Sequence, residues 1–167
     1  MGAKTHFDPL ERFAEIERLV AKVYFRFSHL FLRHAELRDF WWQMAKDEEQ
    51  HSSVLLACKE IIENYPDEAM DPSISQEKVD QLREQISAYL SKGTPSITME
   101  EAFKVGLEIE CSELDVIYSR LLKLGGPKIA QTMENLGVPA SAQRQKLKSA
   151  ILRFSMEPEL RAAAESL

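Results

Sequence analysis

Apolar residues recur at three- and four-residue steps over most of this chain, which is the spacing of one face of an α-helix. Long runs begin after Asp8-Pro9, after His34 and after Thr98, and a fourth covers Ser141–Met156. Aspartate and threonine are favoured N-caps, and proline suits the first helical position. Most glycines and prolines lie in the joints between the runs. The pattern predicts an all-α protein built on four long helices.

The joint between the second and third long helices is longer than the others. Residues 64–75 contain Pro66 and Pro72 and predict a linker, whereas Ser75–Leu90 carries an apolar stripe of helical period. We therefore expect a long crossover that contains an extra short helix, within a single domain that covers residues 1–167.

The second half of the chain predicts one more long helix flanked by shorter ones. Thr98 and Glu101 have the spacing of a capping box, and the apolar residues after them predict an unbroken helix that runs to Leu124. Glycine and proline beyond this point frame a short helix at Lys128–Leu136, and Pro158 starts a last short helix.

Ionisable side chains interrupt the apolar stripes of the first three long helices. They are Glu17, Glu48, His51, Glu110 and Glu113. Glu48 and His51 are three residues apart, which places a carboxylate and an imidazole on nearly the same face of the second helix. Buried charge must be paired, neutralised by a proton or bound to a metal, and this donor pair suits iron, manganese or zinc. The pattern predicts that these five side chains converge on a metal site inside the bundle.

Composition and charge limit the kinds of partner. The chain has 167 residues, 44% of them hydrophobic, which is typical of one soluble domain. A net charge of −6 and a pI near 5.3 disfavour nucleic acid and anionic membranes as main partners. Because neither a membrane span nor an export signal is apparent, we expect a cytoplasmic protein.

Cys58 and Cys111 form no C-x-x-C pair, which excludes a rubredoxin-type iron site in this chain, and we expect buried thiols.

The motifs in combination resemble the ferritin-like superfamily, and most closely its rubrerythrin branch. The matching stretches are Glu17 followed by Tyr24, Ala45-x-x-Glu48-x-x-His51, and Glu110-x-x-Glu113-x-x-x-x-Tyr118. They cover three helices and about half of the chain. The resemblance implies a ferritin-like four-helix bundle that binds one or two non-haem iron ions, or another divalent metal. The implied ligands are Glu17, Glu48, His51, Glu110 and Glu113.

The fourth long helix departs from the rubrerythrin pattern. That pattern has a second Glu-x-x-His there, but the histidines of this chain are His6, His29, His34 and His51. The run Ser141–Met156 also contains no acid. Two alternatives are open: Gln143 supplies the part that a glutamine plays on the last helix of true ferritins, or Lys148 or a neighbouring cation replaces one metal with an ion pair. We expect one of two metal positions to be incomplete.

Three functions are compatible with these features. The first is an iron-dependent oxidoreductase that acts with oxygen or peroxide and takes electrons from an external donor. The second is a degenerate ferritin-like scaffold with one metal or none, which acts as a non-catalytic interaction module. The third, iron storage, requires a cage, for which the sequence shows no assembly surface.

Some residues are expected to lie outside the cluster. Of the adjacent Trp41 and Trp42, one is expected in the core and the other at a surface or an interface, which is compatible with a homodimer. His29 and His34 are expected to be partly exposed.

Overall fold

The computed structural model describes residues 7–62 and 74–167, and within these two ranges the chain is all-helical, without a β-strand. The helices are α1 (Pro9–Leu30), α2 (Ala35–Ile62), α3 (Gln76–Lys92), α4 (Met99–Glu110), α5 (Leu114–Leu122), α6 (Pro127–Leu136), α7 (Ala140–Phe154) and α8 (Pro158–Glu165), with a 3₁₀ turn at Lys123–Gly125. The predicted all-α class is confirmed.

Helix starts follow the cap signals. The side chain of Asp8 accepts hydrogen bonds from the amides of Leu10 and Glu11 at 3.0 and 3.2 Å. Thr98 and Glu101 form the reciprocal capping box, since each side chain accepts from the other residue's amide. The orphan amides of α1 and α4 therefore have partners from their own sequence.

The helices α1 and α2 form an antiparallel hairpin. Ser28 donates to the carbonyl of Arg38 near the connecting turn, and Ser52 donates to the carbonyl of Ala14 further along the pair, both at 2.9 Å. Helix α3 packs against α1. The hairpin thus holds the middle of α1 against the middle of α2.

An aromatic cluster fills the core at the hairpin's closed end. Trp41 is fully buried, with its ring centroid 4.8 to 5.7 Å from the rings of Tyr24, Phe27, Phe40 and Phe103. Its neighbour Trp42 is 53% exposed. The expected division between a core tryptophan and a surface tryptophan is confirmed.

The third long helix is broken, contrary to the prediction. Helix α4 ends at Glu110 and α5 begins at Leu114. Between them the hydroxyl of Ser112 donates to the carbonyl of Ile109 at 2.5 Å and accepts from the amide of Leu114 at 3.3 Å. Serine can compete in this way for backbone groups that a continuous helix would pair. The predicted apolar stripe of α5 is nevertheless buried after the break, at Leu114, Ile117, Leu121 and Leu122.

The crossover is described only in part. Most of the predicted linker, including Pro66 and Pro72, lies outside the described residues. Its extra helix is confirmed, because α3 begins after the N-cap Ser75, whose hydroxyl accepts from the amide of Lys78 at 3.2 Å. In the two described ranges, every helix falls short of the combined length and hydrophobicity that crossing a membrane requires.

Candidate metal centre

Helices α1 and α2 bring three ionisable side chains together in the interior. Glu17 lies on α1, whereas Glu48 and His51 lie one turn apart on α2. Potential ligand atoms of the three lie within 4.8 Å of one another, and the residues are 0 to 1% exposed. They occupy positions in the apolar stripes of an antiparallel hairpin, so packing of the two helices places them face to face.

Glu17 is the member of the group without a hydrogen-bond donor, and its polar neighbour is the carboxyl group of Glu48. Both carboxylate oxygens are buried, and neither has a donor within hydrogen-bond distance. An ionised carboxylate in this position would lose its hydration without compensation. The site is therefore incomplete as ionised protein alone, and a proton or a cation must complete it.

His51 is held by oxygen atoms on both sides of its ring. Its Nδ1 lies 3.2 Å from Oε2 of Glu48, and its Nε2 lies 2.6 Å from the carbonyl oxygen of Val138. When Nε2 carries a hydrogen, it donates to Val138, and Nδ1 is left facing the carboxylates. This is how metal-ligating histidines are commonly oriented by a backbone carbonyl. The ring of Tyr118 packs on the imidazole, with centroids 4.6 Å apart.

Helix α7 adds an amide to the same site. The Nε2 of Gln143 donates to Oε1 of Glu48 at 2.8 Å, and the residue is fully buried. Its Oε1 has no hydrogen-bond partner. This contact supports the alternative of a glutamine at the site. The other alternative, a cation of the last long helix paired with a buried acid, is supported by Arg144 at Asp115 and not by Lys148. Lys148 lies instead against Glu165 at the surface.

A second pair of buried acids lies on α4 and α5, and each has a partner. The hydroxyl of Tyr24 donates to Oε1 of Glu110 at 2.7 Å. Asp115 lies 2.8 Å from a guanidinium nitrogen of Arg144 on α7. Glu110 is 2% exposed, but it does not belong to the group of three whose ligand atoms lie together.

The expectation that Glu113 joins this interior is wrong. Its side chain is 62% exposed and lies 3.1 Å from Nζ of Lys78 on α3. A continuous helix would have placed Glu110 and Glu113 on one face, but the break at Ser112 turns Glu113 outward as the N-cap residue of α5.

Asp115 was missed by the sequence analysis, as was the buried Asp47, which binds Lys146 at 2.6 Å. Arg144 falls within the expected alternative of a cation near Lys148 that pairs with a buried acid. A signal for Asp115 exists, because it precedes Tyr118 by three residues and so lies beside the inward face of α5 once the helix restarts. Asp47 has a signal of the same kind, because it follows Met44 by three residues and precedes His51 by four on α2.

Burial and like charge govern the electrostatics. Burial, reinforced by the charge of Glu48, raises the pKa of Glu17 well above its usual range. Burial likewise raises the pKa of Glu110, although the hydrogen bond from Tyr24 opposes this. Burial alone would lower the pKa of His51, but the hydrogen bond and charge of Glu48 outweigh it and raise the pKa. If every acid were ionised, negative charge would be concentrated around Glu48, and the raised pKa values of Glu17 and Glu110 relieve this by proton uptake.

The remaining candidates lie elsewhere. His29 and His34 are exposed and outside the cluster, as expected. Cys58 is buried, but Cys111 is exposed at the end of α4, which corrects the expectation of two buried thiols.

The donor set fits a divalent transition metal. Two carboxylates and one imidazole converge, and the oxygen atoms of Glu17 and Gln143 Oε1 are buried without partners beside them. Neither protein-family models, nor curated proteins, nor solved structures gave a match to this chain. The geometry of the site therefore carries the functional argument.

Proposed function

We propose that this chain binds one divalent transition-metal ion, with iron as the expected metal, through Glu17, Glu48 and His51. We place the site in a helical bundle of the ferritin-like, rubrerythrin-type kind. The observation that carries the proposal is Glu17, because its two carboxylate oxygens are buried without a donor and lie beside the other two ligands. A cation in this position would supply the missing partner.

The distribution of charged side chains around the site supports the binding of one metal ion rather than two. The carboxylates that a second ion would need are those of Glu110 and Asp115, and they are already held by Tyr24 and Arg144. The guanidinium of Arg144 supplies positive charge on that side, so an additional divalent ion there would meet a cation. This agrees with the expectation that one of two metal positions is incomplete.

We propose further that the protein is an oxidoreductase that acts with oxygen or peroxide and draws electrons from an external donor. A bound ferrous ion supplies one-electron chemistry that side chains alone lack. The residues hold it in a water-poor interior: Glu17 and Glu48 supply negative charge, Val138 orients the imidazole of His51, and Gln143 fixes Glu48 by its 2.8 Å hydrogen bond.

A second candidate is a metal-free scaffold, and one contact favours it. Both ring nitrogens of His51 face oxygen acceptors, an arrangement that a doubly protonated imidazolium satisfies without a metal. In that case the charge of Glu48 is paired with His51, and a proton neutralises Glu17. The bundle would then act through its surface.

Metal analysis separates the two candidates. Protein purified without added metal is analysed for its metal content and then titrated anaerobically with ferrous iron, for the wild type, His51→Ala and the exposed-histidine control His29→Ala. We expect about one equivalent in the wild type and in the control, with binding lost in His51→Ala. Absence of binding in all three proteins favours the scaffold. Two tight equivalents contradict the single-ion proposal, and oxidation of the bound iron by oxygen or peroxide tests the enzymatic one.

A further inference from the structure

Helix α6 is attached to the rest of the molecule more lightly than the helices around it. Only Ala130 and Met133 of its ten residues are buried. At its N-terminus Gly126 has φ +92°, a left-handed backbone value that glycine adopts without strain. At its other end, residues 137–139 connect it to α7 without helical structure. We call α6 with this connection, residues 127–139, the lid.

The C-terminal end of the lid lies against α2 at the candidate metal centre. The side chain of Gln50 donates to the carbonyl of Leu136 at 2.8 Å, and the ring of His51 lies 2.6 Å from the carbonyl of Val138. These are consecutive residues of α2, one exposed and one buried. The lid therefore touches a proposed ligand directly and is held beside it by a second hydrogen bond from the surface.

Close packing explains why the connection begins with glycine. A Cβ atom on Gly137 would lie 3.1 Å from the hydroxyl of Tyr118 and 3.5 Å from a methyl group of Val54. Tyr118 itself packs on His51. A side chain here would require Tyr118 or the connection to shift by a few tenths of an ångström, so glycine favours close packing of the lid over the imidazole.

The other elements that enclose the metal centre, α1, α2 and α7, would cost more free energy to displace. Helices α1 and α2 carry the group itself and share the aromatic core around Trp41, while α7 holds Gln143 against Glu48. Displacing any of them would expose buried apolar side chains. Displacing the lid exposes only Ala130 and Met133 among the buried residues of α6 and breaks the hydrogen bonds at Leu136 and Val138.

We propose that residues 127–139 form a lid that must open for a divalent ion to reach Glu17, Glu48 and His51, and that Gln50 is its latch. This inference rests on the proposed function. The latch stabilises the closed state whether or not an ion is bound, so it slows binding and release together. Loss of one such hydrogen bond should raise both rates about 2- to 10-fold and leave Kd nearly unchanged.

The kinetic test uses Co²⁺ as the probe. Metal-free protein is mixed with Co²⁺ in a stopped-flow instrument, and loaded protein is mixed with excess chelator. Gln50→Ala is compared with wild type and with Gln81→Ala, which removes an exposed glutamine from α3 instead. We expect both rates to rise in Gln50→Ala and to rise further in Gln50→Glu, which sets an acceptor against the Leu136 carbonyl. Unchanged rates, or a rate change in Gln81→Ala of the same size, would overturn the lid.

A metal-free arm keeps the lid distinguishable from the metal site. Amide hydrogen exchange of residues 127–139 and modification of His51 by diethylpyrocarbonate are followed by mass spectrometry, with the exposed His29 as internal reference. Faster exchange and faster His51 modification in Gln50→Ala support the lid even in a protein that binds no metal, in which case only the proposed function fails. Metal binding with unchanged exchange and modification refutes the lid while leaving the proposed function intact.

Discussion

The two halves of the bundle bury their acids in different ways. On the α1–α2 side, Glu48 has Gln143 and His51 as partners, whereas Glu17 faces the carboxyl group of Glu48 and has no donor. On the α4–α5 side, Glu110 and Asp115 each have one, from Tyr24 and Arg144. The burial is similar, because all four acids are at most 6% exposed. The two halves therefore differ in whether each buried carboxylate has a partner, and not in how far the carboxylates are exposed to solvent.

This difference bears on function. A carboxylate that the protein itself satisfies contributes to a fixed interior, whereas one left without a donor is available to an exogenous cation or a proton. The partnered half supplies its own cation through Arg144. On the α1–α2 side Glu17 has no donor, and there we place the metal ion.

The largest effect is expected from removing one acid of each half. Glu17→Gln should weaken ferrous-iron binding by roughly 100-fold or more, because it removes a ligand. Glu110→Gln should weaken it by less than about 10-fold, since its effect passes through the surroundings of the site. Anaerobic titration of both variants measures this. Equal losses would show that Glu110 is a ligand and that the two halves do not differ as described.

The next largest effect is expected from removing Arg144, the cation that pairs with a buried acid on the α4–α5 side. Arg144→Ala leaves Asp115 buried without its ion pair and should lower the free energy of unfolding by about 1–3 kcal/mol, measured by urea denaturation. It should also allow a second equivalent of metal to bind, because two acids then lie on that side without a cation.

Lys146→Ala is the matched control for Arg144→Ala. It removes another α7 cation from a buried aspartate, Asp47, with a comparable loss of stability expected. Because Asp47 lies outside the group of three, the metal stoichiometry should stay at one. A second equivalent in both variants, or in neither, would contradict the role assigned to Arg144.

The smallest effect is the pH dependence of the metal-free protein. Below the usual carboxyl pKa of 4.5, Glu17 is protonated in both folded and unfolded states and adds no pH dependence. Above it, the unfolded chain releases the proton first, because burial raises the pKa in the folded state, so stability falls as pH rises. The raised pKa of His51 has the same sign, with stability lost as pH rises above its ordinary 6.5.

Urea midpoints between pH 5 and pH 8 measure this slope, which is at most about 1.4 kcal/mol per pH unit for each proton involved. Glu17→Gln should flatten it, whereas the surface variant Glu15→Gln should not. A wild-type stability that rises steadily over this range would show that Glu17 is ionised and compensated in the folded protein.

Predictions from the sequence were confirmed where the contacting residues lie within one turn of the same helix. The caps at Asp8 and Thr98 and the pairing of Glu48 with His51 depend on residues within one turn of one helix, where a period of 3.6 residues fixes which side chains meet. Prediction from the sequence failed at Glu113, because the hydroxyl of Ser112 binds the carbonyl of Ile109 where α4 ends, and the resulting break places Glu113 at the surface.

The sequence by itself thus determined an all-helical protein with Glu17, Glu48 and His51 on inward faces. Only the tertiary structure decided which acids have partners: Arg144 meets Asp115 across 29 positions of sequence, and the carbonyl of Val138 meets His51 across 87. Such contacts depend on how whole helices pack, to which distant apolar residues contribute. A backbone carbonyl, moreover, is present in every residue, so no sequence pattern can mark the one that orients a histidine.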